Sequence, residues 1–138
     1  MTMLTVNFGM AHEPYTALVT LIDLLLYGVM SINVSRARCS LKVDAPSTDG
    51  PAQFQRIFRV HMNTCEQLVL HLPLLWLAAV TLSDHYAVSC GMLWFIGRLV
   101  YAYTYYRAPK TRSVGYALGV LANLILFIGV AMSVLKSF

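Results

Sequence analysis

Arg56, Arg59, Asn63 and Glu66 recur at spacings that place them within one sector of about 80° on a helix, with Gln67 at its edge. Guanidiniums, an amide and a carboxylate on one face can hold a small zwitterionic ligand, because arginine pairs with carboxylates and glutamate with an ammonium. The same residues can also close on themselves, as an Arg59–Asn63–Glu66 polar seam between helices. Arg98, Tyr101 and Tyr105 follow i, i+3, i+7 spacing and share a second face. Arg112 opens a long uncharged stretch. A fixed guanidinium at a helix N-terminus favours an anion, and a thiolate over a thiol; the plainer reading is an anchor for the helix end. His61 points about 140° away from Arg56, so any partner it has belongs to a different neighbour. That hints at an oligomer, and a packing histidine fits the spacing as well.

These residues sit in a chain of 138 residues that is 58% hydrophobic and only 12% charged, with a mean hydropathy of +0.64. Such a chain is neither disordered nor an ordinary soluble domain. Its length predicts one folding unit. Four stretches reach the roughly 20 residues a membrane span requires: Tyr15–Ser35, about Phe54–Ser83, Tyr86–Tyr106 and Ser113–Leu135. Asp23 and Arg98 are the lone charges of the first and third. The expectation is an all-α integral membrane protein, a bundle of four transmembrane helices at about 14–36, 54–83, 86–107 and 112–136. No strand-like alternation suggests a β-barrel. Pro14 suits a helix start, and Pro73 should bend the second helix. The first twelve residues hold no Lys or Arg, so the first helix reads as a retained span and not as a signal peptide.

Arg36, Arg38, Lys42, Arg56, Arg59, Arg107, Lys110 and Arg112 fall on one side of these spans. His12, Glu13, Asp84, His85 and Lys136 fall on the other. The positive-inside rule puts the basic connections in the cytoplasm and both termini away from it. This orientation accounts for most of the net charge of +4, so nucleic acid is not an expected partner. The long connection from Ala37 to Ala52, with Pro46, Gly50 and Pro51, is loop chemistry. Cys39, Cys65 and Cys90 have no CxxC spacing, and no HExxH, GxSxG, Walker or dinucleotide motif occurs. Neither a disulfide framework nor a metal site is expected. Asp23 fits packing or a proton path equally, and His71 lies in the apolar part of the second helix.

The run Gly50 to Glu66, GPAQFQRIFRVHMNTCE, resembles the signature of the MAPEG family, the membrane-associated proteins in eicosanoid and glutathione metabolism. Its Gly, Phe, Arg, aromatic, Asn and Glu stand in register. The segment Arg98 to Tyr105 is similar to the family's third helix, and Arg112-Ser113 to the start of its fourth; the resemblance covers nearly the whole chain. It implies a homotrimer of four-helix protomers that binds glutathione between neighbouring protomers near the cytoplasmic surface. By position, Arg59, Asn63, Glu66, Tyr101 and Tyr105 would line that site. Arg38 would reach a glutathione carboxylate from the adjacent chain, with His61 beside it. Arg112 would stabilise the thiolate, and Tyr101 or Tyr105 would hydrogen-bond to the sulfur or the leaving group.

Gln67 and Cys39 depart from the leukotriene synthase branch, while His61 and the Arg107–Arg112 connection resemble the prostaglandin synthase and microsomal transferase branch. The mixture implies a general glutathione transferase with peroxidase activity, acting on lipophilic electrophiles or lipid hydroperoxides. Its home would be the bacterial inner membrane or the endoplasmic reticulum. The rivals are a non-catalytic lipid-binding member of the same family and a small channel or transporter using Arg98 and Glu66. Arg59, Asn63, Tyr105 and Arg112 weigh against the lipid-binding member.

Overall fold

A computed structural model describes residues 13–138; His12 lies outside the described residues. Four helices follow one another: α1 Pro14–Leu41, α2 Ala52–Thr81, α3 Asp84–Arg107 and α4 Ser113–Leu135, with a 3₁₀ turn at Pro109–Thr111 before α4. No strand occurs among the described residues. Large apolar side chains face outward along the bundle, among them Leu21, Leu25, Val69, Val80 and Phe127. Water would not tolerate so continuous an apolar coat, whereas lipid does.

Among the described residues, three segments are long and apolar enough to cross a bilayer: Pro14–Leu41, Ala52–Thr81 and Pro109–Leu135. α3 has 24 residues, about 36 Å at the helical rise, but its glycines, tyrosines, His85 and Arg98 lower its hydropathy. Its outward residues Met92, Ile96 and Leu99 are apolar, while Trp94, Arg98 and Tyr101 turn into the bundle. α1 runs past its apolar stretch as far as Leu41, so Arg36 and Arg38 are helical. It ends where Lys42 adopts a left-handed conformation, φ 53°. Pro73 lies inside α2 without ending it.

α3 and α4 approach most closely at three glycines. A Cβ on Gly115 would overlap the backbone N and Cα of Tyr101, and one on Gly97 would lie 2.9 Å from the backbone N of Gly119. Gly115 and Gly119 form a small-xxx-small pair on α4, a spacing that lets helix backbones touch. This contact fixes Tyr101 against α4.

At the opposite end, Asp84 caps α1 from across the bundle. Its carboxylate accepts from the Thr16 hydroxyl at 2.6 Å, the Thr16 amide at 2.8 Å and the Tyr15 amide at 3.1 Å, because Glu13 makes no side-chain cap of its own. Burial alone would raise this carboxyl, but the Thr16 and Tyr15 donors outweigh it and hold Asp84 below its ordinary range. A depressed folded value stabilises the protein above the unfolded pKa of about 3.9 and is lost as pH falls through the folded value. Asp84→Asn therefore lowers the melting temperature at pH 7. The gap to wild type should begin to narrow as melts are taken below about pH 3.9 and close once the pH is under the lower folded value, and a gap unchanged by pH would contradict the cap.

Candidate functional site

The helices alternate in direction, so the α1–α2 loop and the α3–α4 turn meet at one end, away from the Asp84–Thr16 contact. There α2, α3 and α4 enclose a groove of about 480 Å³ lined by Arg59, Asn63, Glu66, Tyr101, Tyr105 and Arg112, with Met62 and Tyr116 completing it. Helical periodicity supplies the α2 wall, since Arg59, Asn63 and Glu66 lie one turn apart. The α3 wall comes from Tyr101 and Tyr105, whose rings pack 5.4 Å apart at 51°.

Arg98 stands behind this wall, fully buried. Its Nη1 donates to Asn63 Oδ1 at 3.0 Å, and its guanidinium lies 4.5 Å from the centre of the Tyr101 ring. With its oxygen held, Asn63 turns its Nδ2 toward Glu66 Oε2, 3.4 Å away. Arg98 thus orients the polar stripe from within. Its Nε and Nη2 have no hydrogen-bond partner and lie against Gly119, where a Cβ would come within 3.4 Å of Nη2.

Arg112 donates from Nη1 to the Tyr105 phenol oxygen at 3.2 Å, and its guanidinium sits 5.2 Å from that ring's centre. The phenol accepts this bond, so its own hydrogen is free for an acceptor in the groove. Arg112 also occupies the N-cap of α4, where no side chain caps the first-turn amides. Guanidinium, free amides and phenol hydroxyl together make a cationic corner suited to an anion. The groove carries Arg59 and Arg112 against the single carboxylate of Glu66, so it suits a ligand with more negative than positive groups.

Two residues expected at the site are not brought to it within one chain. Arg38 donates to the loop carbonyls of Ser47 at 2.8 Å and Asp44 at 3.4 Å, and lies over Phe54. His61 faces away from the groove and stacks on Tyr27 at 4.7 Å and 14°. Arg56 also leaves the polar stripe. Its Nη1 donates to the carbonyls of Tyr106 at 3.3 Å and Arg107 at 3.1 Å, closing the C-terminus of α3. Met62 and Tyr116 were not expected; each lies one turn from a predicted site residue, Arg59 and Arg112, which is the signal that could have found them. Tyr103 is exposed under Arg107, as an interfacial aromatic should be.

A second polar cluster lies deeper, and nothing in the spacing of its members relates them. His71 Nδ1 meets Asn123 Oδ1 at 2.8 Å, while its Nε2 faces Asp23 Oδ2 at 3.5 Å. The imidazole stacks on Trp94 at 4.2 Å and 6°. Asp23, His71 and Trp94 are wholly buried and Asn123 nearly so. Each is a lone polar group in an otherwise apolar stretch, and their meeting removes all of them from lipid.

Comparison with known proteins agrees with this architecture. The profile of the MAPEG family matches residues 16–132. An uncharacterized protein of Synechocystis sp. is 44% identical over 121 residues, 88% of either chain. Microsomal glutathione S-transferase 2 of Homo sapiens is 30% identical over 126 residues, 88% of this chain and 86% of its own. Leukotriene C4 synthase of Cavia porcellus is 38% identical over 96 residues, 70% of this chain and 64% of its own. With its helical bundle, its apolar coat and a family match that runs almost end to end, the chain belongs to the MAPEG family.

Proposed function

We propose that the chain is a membrane-bound glutathione transferase with glutathione-dependent peroxidase activity. The observation that carries this reading is the groove in which Arg59, Asn63 and Glu66 stand opposite the Arg112–Tyr105 pair. Glutathione has two carboxylates, one ammonium and one thiol. Arg59 takes a carboxylate and Glu66 the ammonium, leaving the sulfur for the Arg112 corner. A free thiol has a pKa of about 8.5, so little thiolate exists at neutral pH. The Arg112 charge and the α4 N-terminus favour the ionised form.

The thiolate attacks a lipophilic electrophile that enters from the bilayer. A carbon–sulfur bond forms as the leaving group departs with its electron pair, and the Tyr105 hydroxyl is free to hydrogen-bond to the sulfur or to that group. With a hydroperoxide, the sulfur takes the terminal oxygen and releases an alcohol. A second glutathione then yields the disulfide and water. We assign all four helices to the membrane, the basic end to the cytoplasm and both termini to the opposite side. In a homotrimer, Arg38 and His61 would complete the pocket of the adjacent protomer, which gives their positions outside their own groove a purpose.

Isothermal titration of the purified protein with glutathione tests the binding step. Glu66→Gln should weaken binding by about 10- to 100-fold, the loss expected for one hydrogen bond between charged groups. Unchanged affinity in Glu66→Gln and Arg59→Ala would contradict this reading.

A further inference from the structure

A second cavity of about 410 Å³ opens at the basic end of the bundle, between the C-terminal turns of α1, the first turns of α2 and the end of α3. It shares no lining residue with the groove. Its polar lining comprises Arg36, Arg56, Asn33, Gln53, Ser40 and Tyr106, and no carboxylate lines it. Arg36 is exposed, and the one ion pair among the described residues is His71–Asp23. Arg56 spends only Nη1 on the end of α3. Gln53 lies in the first turn of α2, which has neither a side-chain cap nor an acidic residue, so unpaired amides add to the positive field.

The surroundings say what kind of anion fits. Leu25, Val29 and Ile32 are exposed apolar residues on α1. With Arg36 they follow i, i+4, i+7, i+11 spacing and make one continuous stripe. Arg36 therefore stands at the head of an apolar track at the membrane boundary, and Ala37, Leu41 and Ile57 wall the cavity on its apolar side. A soluble anion would use the charges and leave the track empty. A lipid uses both, with its phosphate among the arginines and an acyl chain along α1.

We propose that this cavity is a binding site for the phosphodiester headgroup of an anionic phospholipid, distinct from the glutathione groove. Native mass spectrometry of the purified protein tests it, using phosphatidylglycerol, phosphatidylcholine or inorganic phosphate as the probe. Phosphatidylglycerol should be retained at least about tenfold better than phosphatidylcholine, whose ammonium cancels the phosphate charge. Arg36→Ala should weaken that retention by about tenfold without altering glutathione affinity. Arg56→Gln could also disturb the end of α3, so Asn33→Leu, which removes a neutral lining group, serves as the second variant and should weaken retention in the same direction. Equal retention of the two lipids, or retention unchanged in both variants, would overturn the site. Displacement of the lipid by inorganic phosphate at matched concentration would identify a free-anion site instead, and displacement by glutathione would make the cavity part of the transferase pocket; either result overturns the proposal.

Discussion

Arg112→Ala should lower the rate of glutathione conjugation by about a hundred- to a thousandfold, the loss typical when one preorganised group facing a developing charge is removed. Arg112 is exposed, and its one side-chain hydrogen bond runs to the Tyr105 hydroxyl, so its removal costs little packing. Steady-state kinetics with an aryl halide should show the loss mainly in kcat, because the contacts to the peptide proposed for Arg59, Asn63 and Glu66 remain. Arg112→Lys should fall between wild type and alanine. It restores the charge but not the planar fork that reaches Tyr105 while facing the groove. Tyr105→Phe should cost less than Arg112→Ala, since the phenol hydrogen is a secondary donor in this geometry. A tyrosine variant that abolishes activity while Arg112→Ala retains it would reverse these roles.

The largest stability effect belongs to the deep cluster. Asp23→Ala should destabilise the protein by about 3–5 kcal/mol, the cost of removing one partner of a buried pair. The Asn123 carbonyl faces His71 Nδ1, so Nδ1 carries a hydrogen and donates it. Nε2 then faces the Asp23 carboxyl 3.5 Å away. The pairing keeps both polar groups away from lipid. Without Asp23 the His71 Nε2 loses the polar group it faces in the core. Replacing Asp23, His71 and Asn123 together by leucine should recover most of the loss, because apolar side chains of similar volume substitute well for buried pairs. Denaturant titration in detergent would measure both variants. A triple variant no more stable than Asp23→Ala would mean that the loss comes from packing volume and not from broken polar pairing.

The groove was legible in the sequence because it needs only helical period and chain order. Arg59, Asn63 and Glu66 share a face through their spacing alone, as do Tyr101 and Tyr105, and the short α3–α4 turn brings Arg112 back beside them. The features that escaped depend on how helices are rotated against one another. Arg56 shares the helical sector of Arg59, yet the end of α3 lies near enough to take it as a cap. Asp84 reads only as a charge on the side away from the basic connections until α1 is placed beside it. Asp23, His71 and Asn123 lie on three helices, and no period within a single helix relates them. The Gly115–Gly119 spacing was present in the sequence, but its partner Gly97 is set by the α3–α4 crossing. Arg38 and His61 are the converse case: the resemblance gave them a role between chains, and within one chain the structure holds them in the loop and against Tyr27.

The central claim is that the Arg112 corner converts bound glutathione to its thiolate. An ultraviolet difference spectrum of the purified protein, titrated with glutathione near neutral pH, tests it most directly, because a thiolate absorbs where a thiol does not. Wild-type protein should develop the thiolate band in proportion to occupancy, and Arg112→Ala should bind glutathione with the band absent. A band of equal size in both proteins, or saturable binding with no band in the wild type, would contradict the claim.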